Sequence, residues 1–598
     1  MTVNRRALAV LAAGALVLTG CAKGGAGGSA PGQASQSPSV AMPTQAGESK
    51  QAKVKAGTPQ DSQGPAIEVP GSKKGGTVRV IASSDFSHLD PGQIYVSNNA
   101  QASELINRGL MGYKQLRNGD VLVVGDLSAD TGTTTDGGKT WTFKLKDGVK
   151  WEDGEPVTSE DVKWSFERLY DPIINQGPTY VQQWLVDGDY RKAYPGAYSG
   201  KRLDTIETPD AKTVVFNLKS AHPDFNMALA MSGYGIVPKK HTMDKSKQKD
   251  YDKKPVASGP YRVVSHIGDK SMDLERNPHW DPATDPIRNA YPDKWRFEFG
   301  VTAQQSTDRL IADSGDDQTT ISINGLGSER IPEVVADGEL MKRSISGYTP
   351  FTDYWVINTS RVKNPKVREA LIKAWPIEAI HKLSGGDAGW GHRASTMMSP
   401  TVPGFRKFDV WGQLDNPEGD IEAAKKLLAE SGEPNPTIVY AYGSTPLPGK
   451  VALLVQEALT KAGFKYVGKK IDSGTWYDSV GQLDNGFDVF RSGWAADWAD
   501  GSTVMAPLFD GRLIAEGSTN YSQFNDPAVN AAIDEANKLT DPEARGEAWS
   551  KIDEQVIKQA AVIPGFYLTY LDLRGSKVWA EMDNWWGSTN LKTAFVAE

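Results

Sequence analysis

The chain has 598 residues, of which 23% are charged, and a formal net charge of −8. This length exceeds what one hydrophobic core normally organises, so two or three domains are expected. The mild negative charge, without a basic stripe, argues against a nucleic-acid partner. The 17 tryptophans and 20 tyrosines suit a binding cleft, although a large α/β core also uses many aromatic residues.

The N-terminus carries the pattern of an export signal. Arg5 and Arg6 precede an apolar run from Ala7 to Leu18, and small residues follow. This is the order of a secretory signal peptide, and the run is too short to favour a membrane span. We therefore predict a signal peptide over residues 1–20 and an extracytoplasmic location. The arginine pair leaves twin-arginine export open beside the Sec route.

The single cysteine of the chain, Cys21, directly follows this signal. The stretch Leu18-Thr19-Gly20-Cys21 resembles a lipobox. That resemblance implies that cleavage makes Cys21 the first residue of the mature chain and that lipid on its thiol anchors the protein at the outer face of a bacterial membrane. The alternative is an ordinary signal peptide followed by an unpaired thiol. Without a second cysteine no disulfide can form, so burial must stabilise the fold.

A segment of tether-like composition comes next. Residues 22–74 contain no aromatic side chain and are dominated by Gly, Ser, Pro, Ala and Gln. Such a sequence buries too little apolar surface to offset the entropy cost of ordering, so residues 21–74 are predicted to form a lipidated, disordered tether. A random coil of that length reaches roughly 40 Å.

Structure is predicted to begin with a β-branched strand at residues 77–81. Farther on, Trp141 and Phe143 alternate with polar residues, as on a half-buried strand. A helix follows, because Thr158 and Asp161 have the spacing of a capping box. Further strands are predicted in KTVVFNLKS, SMDLER and KWRFEFGV.

The second half of the chain reads as more helical. One helix is predicted to start at an Asp420 cap and to stop at Gly432. Between residues 526 and 560 two helices are expected, separated where Asp541 can cap and Pro542 can take the first helical position. Strands interleaved with helices predict mixed α/β domains rather than a bundle or a sandwich.

The chain lacks the sequence patterns of an enzyme. Its seven histidines are scattered, without the spacing that builds a metal site, and no nucleophile motif or phosphate-binding loop stands in a folded segment. Acidic pairs such as Asp497 and Asp500 could serve a hydrolase, but carboxylates this close are common in loops. We predict no catalytic residue, no metal and no cofactor.

Several stretches resemble the extracellular solute-binding proteins of family 5. In order they are GGTVRV, LINRGLMGY, TWTFKLKDGVKWEDGEPVTSEDVKWSFERLYDP, ASGPYRV, FTDYWVINTS, EAAKKLLAESG and FDVFRSGWAAD. Members of this family are the peptide- and nickel-binding components of ABC importers, and this chain resembles an oligopeptide- or dipeptide-binding lipoprotein. The likeness covers nearly everything from Gly75 onward. One departure is Pro376, which should end a helix near Trp375.

The resemblance implies a bilobed α/β fold like that of periplasmic binding proteins, with an extra small α/β domain. The implied segments are 75–107, 206–298 and 564–598 for lobe I, 108–205 for the small domain, and 299–563 for lobe II. Two crossings, near residues 297–301 and 563–567, would act as the hinge and close the lobes on a ligand.

The same resemblance assigns a ligand-facing role to residues 491–497. A binder of varied peptides should contact the ligand backbone and its charged ends, which strand addition and amine capture achieve. Gly493 and Ala495 would leave room for that backbone. Asp497 falls where the family pairs an aspartate with the peptide α-amino group; the alternative is a turn cap before Trp498.

Three further side chains of the second lobe are candidates by position. Arg491 falls where oligopeptide binders place an arginine that can meet a ligand carboxylate, and the alternative is a structural ion pair with a neighbour such as Asp488. Trp494 would form a wall of the pocket and belong partly to the core. Trp476 matches an aromatic residue that lines the side-chain pocket of the family.

The opposite lobe would contribute the remaining contacts. Tyr95, Val96 and Ser97 fall where the family supplies backbone groups to the ligand strand, and the alternative is a surface loop. Tyr180 or Trp184 would close the far end of the pocket.

The predicted function is capture of a peptide by a monomeric, membrane-anchored lipoprotein, followed by its delivery to an ABC permease driven by ATPase subunits. One alternative keeps the fold and changes the ligand to a nickel chelate, an oligosaccharide or another solute. A second alternative is a sensor lipoprotein that takes no part in transport.

Overall fold

The computed structural model describes residues 53–95 and 97–597. The predicted signal peptide, Cys21, the first part of the tether and Val96 lie outside these residues.

The strands of the described chain are β1 (Val54–Ala56), β2 (Thr77–Ile81), β3 (Met111–Gln115), β4 (Val121–Gly125), β5 (Thr140–Lys144), β6 (Ile206–Asp210), β7 (Thr213–Asn217), β8 (Tyr261–Ile267), β9 (Ser271–Arg276), β10 (Lys294–Glu298), β11 (Thr320–Ser322), β12 (Ser344–Ile357), β13 (Gly391–Arg393), β14 (Thr437–Gly443), β15 (Lys465–Ile471), β16 (Val489–Ala495), β17 (Val562–Leu573), β18 (Val578–Asp583) and β19 (Ser588–Val596).

The α-helices of the described chain are α1 (Ser97–Ile106), α2 (Ser159–Arg168), α3 (Tyr180–Leu185), α4 (Tyr190–Ala193), α5 (Phe225–Ala228), α6 (Lys239–Thr242), α7 (Gln248–Lys253), α8 (Ala303–Ala312), α9 (Ile331–Ala336), α10 (Gly338–Lys342), α11 (Pro365–Ala374), α12 (Ile377–Leu383), α13 (Gly386–Gly389), α14 (Ile421–Ser431), α15 (Pro446–Ala462), α16 (Trp476–Val480), α17 (Ser502–Phe509), α18 (Pro527–Lys538) and α19 (Pro542–Lys558).

Two sheets form the two lobes of an α/β fold, as expected. The first lobe is built on a five-stranded sheet in the order β11-β2-β10-β9-β8, in which β2 is parallel to β10 and β11. The second lobe is built on a six-stranded sheet in the order β13-β17-β12-β16-β14-β15. Each sheet has its own apolar core, with Val80 and Phe297 in the first and Trp355 and Trp375 in the second.

Strands β12 and β17 connect the two lobes. Ile345, near the start of β12, lies in the core of the first lobe, whereas Trp355 on the same strand lies in the core of the second. The pairing of β12 with β17 shifts register between Tyr348 and Thr352. The first crossing therefore lies within β12, and the prediction of a crossing at residues 297–301 is wrong, because β11 still pairs with β2 of the first lobe.

The boundary predicted for the small domain at residue 205 also divides a sheet. Strands β6 and β7 follow that boundary, yet β7 pairs with β5, which precedes it, in the order β5-β7-β6. The rings of Trp141 and Phe143 on β5 pack against Phe225, so residues 206–228 belong with the small domain. We use that name for this sheet, for the sheet β1-β4-β3, and for helices α2, α3 and α5.

The predicted disordered tether is too long at its C-terminal end. Within it, β1 pairs in parallel with β4, and Ser62 is fully buried. Val69 packs with Tyr291, Trp579 and Phe595 of the first lobe. Residues 53–74 are ordered because partners distant in sequence supply the apolar surface that the segment itself lacks.

Local predictions about helix ends are confirmed. Thr158 and Asp161 form the reciprocal capping box at the start of α2. α11 ends at Ala374, before Pro376. Asp541 caps α19 with Pro542 at its first position. Each of these helix termini depends on residues within one turn of the helix, which is why the sequence predicts them.

The small domain and the second lobe share one continuous core. Phe143, Phe216 and Phe225 of the small domain belong to the same buried cluster as Trp498 and Trp549 of the second lobe. The small domain and the second lobe are therefore in contact across the cleft.

Candidate functional site

Strand β16 has one free edge. It pairs antiparallel with β12 along its whole length, from Val489 opposite Ile357 to Ala495 opposite Phe351. Its pairing with β14 on the other side covers only Val489 and Phe490. Among the described strands, none pairs with the outer edge of residues 491–495, so its N–H and C=O groups are open to an added strand.

Asp497 lies just beyond this edge, and its carboxylate is bound by two tyrosines. The hydroxyl of Tyr95 donates to Oδ1 at 2.8 Å, and the hydroxyl of Tyr180 donates to Oδ2. No cation of the described chain pairs with Asp497. Burial raises the pKa of Asp497 to about 6, and the two hydroxyl hydrogen bonds oppose that rise.

The two tyrosines come from the opposite side of the cleft. Tyr95 precedes α1 in the first lobe, and Tyr180 begins α3 of the small domain. The Tyr180 ring also packs edge-on against Trp498, with ring centroids 4.9 Å apart. Asp497 is thus the point at which all three parts of the molecule meet. Among the described residues no backbone amide donates to its carboxylate, so the turn-cap alternative finds no support.

A buried polar cluster joins the small domain to the second lobe beside Asp497. The indole of Trp498 and the hydroxyl of Ser502 each donate to Asp224 at 3.0 Å. Arg545 lies 3.3 Å from the same carboxylate and bonds Asp500 at 2.6 Å. Its charge is therefore shared between one carboxylate from each side of the cleft.

Trp184, the second residue proposed for the far end of the pocket, lies at the same junction. Its ring stacks on His222 with centroids 4.1 Å apart and meets Trp498 edge-on at 5.7 Å. Tyr180 and Trp184 are therefore both present at the cleft, and only Tyr180 contacts Asp497.

Arg491 is bound within its own lobe. Its Nε donates to both carboxylate oxygens of Asp353, at 2.8 and 2.9 Å. Its guanidinium carbon lies 3.7 Å from the centroid of the Trp390 ring. The alternative of a structural ion pair is therefore observed, but not with the suggested partner Asp488, which pairs with Arg361 at 2.7 Å. The fold brings Asp353 instead to Arg491, since β12 and β16 are neighbours in the sheet.

Asp353 is a charged residue at an unusual position, the buried interior of a strand. It lies on β12, and only 5% of its side chain is exposed. Burial raises the pKa of Asp353 to about 6, although the positive charge of Arg491 opposes that rise. A carboxylate in the apolar run PFTDYWVI is the signal that could have identified it from the sequence. Trp390 follows a glycine-rich stretch and carries no comparable signal.

The other residues of β16 have mixed roles. A Cβ added at Gly493 would lie 3.8 Å from the carbonyl oxygen of Thr352, so the glycine is not required by crowding. The indole of Trp494 donates to the carbonyl of Thr503 at 2.7 Å, and its ring packs on the shared core. Ala495 is the last residue of the strand.

The remaining predicted site residues are Trp476 and the segment from Tyr95 to Ser97. Trp476 begins α16, is half-buried and meets Phe490 edge-on at 6.2 Å. Tyr95 contributes its hydroxyl to Asp497, whereas its predicted contribution was backbone. Val96 lies outside the described residues, and Ser97 is the first residue of α1. In residues 53–95 and 97–597 no group of His, Cys, Asp and Glu could hold a metal ion.

Comparison with known proteins identifies similar sequences over most of the chain. The model of the family described as bacterial extracellular solute-binding proteins, family 5 Middle, matches residues 123–514. The periplasmic oligopeptide-binding protein OppA of Salmonella typhimurium is 26% identical over 460 residues, which are 74% of this chain and 78% of OppA. The glutathione-binding protein GsiB of Escherichia coli K12 is 23% identical over 499 residues, 81% of this chain and 88% of GsiB.

Solved structures share the fold. The clavulanic acid biosynthesis oligopeptide binding protein 2 superposes with a TM-score of 0.80 at 30% identity, covering 90% of this chain and 100% of that protein. DppA from Helicobacter pylori, in complex with the peptide STSA, superposes with a TM-score of 0.64 at 20% identity, covering 88% of this chain and 99% of DppA. These relatives and neighbours are substrate-binding proteins and not enzymes.

Proposed function

Because the chain belongs to the bacterial extracellular solute-binding proteins of family 5, we propose that it captures peptides between its two lobes and delivers them to the permease of an ABC importer. The ATPase subunits of that importer would supply the energy. The ligand would lie along the free edge of β16, with its α-amino group at Asp497.

The observation that carries this proposal is the charge of Asp497. The carboxylate is half-buried where the lobes meet, and no described cation compensates it. A partly desolvated charge without a counter-charge is costly, and a peptide ammonium group would supply that counter-charge while covering the carboxylate from water. Two phenol oxygens beside the carboxylate can also accept hydrogen bonds from the remaining N–H groups of a primary amine.

The free edge of β16 supports the same ligand class. Residues 491–495 offer backbone donors and acceptors that no described strand satisfies. An extended peptide can satisfy them independently of its side chains, whereas a sugar or a metal chelate lacks the repeating amide pattern. Affinity would then come from the main chain and the charged ends, and the aromatic side chains nearby would set side-chain preference.

Membrane attachment through Cys21 is part of the proposal and rests on the lipobox-like stretch that precedes it. In the described part of the chain, no helix is long and apolar enough to cross a bilayer. Incorporation of labelled fatty acid that is lost in Cys21→Ser supports the anchor, and incorporation that persists contradicts it.

Native mass spectrometry of the purified protein, followed by thermal shifts with defined peptides, tests the proposal. Free-amine tetrapeptides should raise the melting temperature by mass action, and their N-acetylated forms should raise it much less. Equal shifts in melting temperature for the two forms would contradict the proposed pairing of Asp497 with the α-amino group. If no bound peptide mass is found and no peptide shifts the melting temperature, the proposed capture of peptides is contradicted.

A further inference from the structure

The ion pair between Arg491 and Asp353 leaves one side of the arginine open. Asp353 occupies the Nε side of the guanidinium. Within the described residues, neither terminal nitrogen of Arg491 forms a hydrogen bond, and 28% of its side chain is exposed, against 5% for Asp353. Arg491 therefore keeps N–H groups that can bind a second anion.

The orientation of this open side is fixed before any ligand arrives. The bifurcated hydrogen bond from Nε to Asp353 holds one edge of the guanidinium, and the Trp390 ring lies against its face at 3.7 Å. A stacked and hydrogen-bonded guanidinium loses little further freedom when it binds an anion. The remaining edge thus forms a preorganised receptor for a carboxylate.

A ligand carboxylate at that edge would change the charge balance. Arg491 and Asp353 together are neutral, so a second carboxylate would leave one uncompensated negative charge in a partly buried site. Two carboxylates that share one site do not both remain ionised without cost, and the group with the higher pKa takes the proton. Asp353, with a pKa of about 6, is that group, since a peptide α-carboxyl titrates near 3.5.

No other described group offers Asp353 a compensating charge. The titratable groups around it, apart from Arg491, are the phenols of Tyr354 on β12, Tyr440 on β14 and Tyr477 on α16. Burial raises the pKa of each phenol, so all three stay neutral at physiological pH. On the side of β17, the residue opposite Asp353 is Phe566.

We propose that Asp353 determines how the cleft recognises the carboxyl end of a peptide. Arg491 binds the α-carboxylate as Asp353 takes up one proton from solvent, and that proton returns to solvent when the peptide leaves. A peptide that ends in a neutral amide binds without proton uptake. This inference rests on the proposed function and predicts preferential capture of free-acid peptides in acidic surroundings.

A pair of tetrapeptide libraries, one with free C-terminal carboxylates and one amidated, tests the proposal. Dissociation constants for the full-length chain are measured at pH 7.5 and pH 5.5. The preference for acid over amide should rise about tenfold on acidification, because a group of pKa about 6 changes from mostly ionised to mostly protonated across that interval. Titration of Asp497 affects both libraries equally, so its effect cancels in the ratio of their dissociation constants.

Two isosteric variants separate Asp353 from other buried carboxylates. In Asp353→Asn the acid-over-amide preference should be the same at both pH values. Asp572 is a matched control on β17: its pKa is also raised to about 6, and it bonds Gly325 and Tyr570 rather than Arg491. Asp572→Asn should keep the pH dependence of the parent protein.

Calorimetry of the unmodified protein in two buffers of different ionisation enthalpy gives an independent readout. Acid peptides should bind at pH 7 with uptake of close to one proton, and amidated peptides with none. A preference that does not vary with pH, or binding of acid peptides without proton uptake, overturns the proposal even if Asp353→Asn fails to fold. If neither library binds, the proposed capture of peptides is contradicted, and this inference is contradicted with it.

Discussion

Asp497 and Arg491 belong to one short stretch of sequence, yet the fold treats their charges differently. Asp497 is bound by hydroxyl groups from the other side of the cleft and has no counter-charge among the described residues. Arg491 is neutralised and stacked inside its own lobe by Asp353 and Trp390. A charge held by neutral partners across the cleft still lacks a counter-charge that a ligand can supply, whereas a charge paired within one lobe is compensated before a ligand arrives.

Replacing Asp497 should have the largest effect on binding. Asp497→Asn removes the anion that would meet the ligand ammonium, so free-amine peptides should lose about 3–5 kcal/mol of binding free energy, or 100-fold or more in affinity. Isothermal titration measures the loss. Binding at unchanged affinity would contradict the role of Asp497.

The ligand-free stability of the same variant sharpens this result. The folded pKa of Asp497, about 6, lies above its unfolded value, so the folded state loses stability as the pH rises from about 4 through 6. Asp497→Asn should abolish that loss of stability. At pH 7.5 its melting temperature should be no lower than that of the parent protein. A lower melting temperature would indicate that the charge supports the fold rather than the ligand.

Replacing Arg491 should affect stability rather than capture of the amine. Arg491→Gln leaves the buried carboxylate of Asp353 without its cation, which should cost about 1–2 kcal/mol at pH 7.5, since partial exposure weakens the pair. The cost should shrink at pH 5.5, where Asp353 takes up a proton. Chemical denaturation at the two pH values measures both.

Arg361→Gln is the matched control for the stability measurement, because it breaks another arginine–aspartate pair beside β16. Affinity of the Arg491→Gln variant for amidated, free-amine peptides should change less than about twofold. Loss of that binding would show that Arg491 acts at both ends of the ligand, and the contrast with Asp497 would fail.

Removing one tyrosine hydroxyl should have the smallest effect. Tyr180→Phe deletes a donor to the ionised form of Asp497, so the pKa of Asp497 should rise by about one unit. Free-amine peptides need the ionised carboxylate, so the pH below which their affinity falls should move up by the same amount. Affinity measured from pH 5 to pH 8 gives the midpoint.

Tyr170→Phe is the control for this prediction. Tyr170 is a buried tyrosine of the same domain whose hydroxyl donates to the carbonyl of Gln182 at 2.9 Å and does not contact Asp497. Its replacement should leave the midpoint unchanged. An equal shift in both variants would indicate a general effect on the domain.

Features that depend on neighbours along the chain could be predicted from the residues alone. Thr158 with Asp161, and Asp541 with Pro542, fix helix ends within a single turn, and Pro376 separates two helices because its ring cannot continue the first. The family and the bilobed α/β fold followed from long stretches of similar residues. Asp497 was found because it lies in one of those stretches.

The partners of the charged residues and the extents of the domains depend instead on contacts between distant segments of the chain. Asp353 lies 138 positions from Arg491 and reaches it through the register of β12 against β16. Residues 53–74 are ordered by pairing with β4 of the small domain and by apolar groups of the first lobe, and β11 belongs to the first lobe because it pairs with β2. Sheet pairing joins segments of any separation, so the contacts it creates are not encoded in the residues adjacent to either partner.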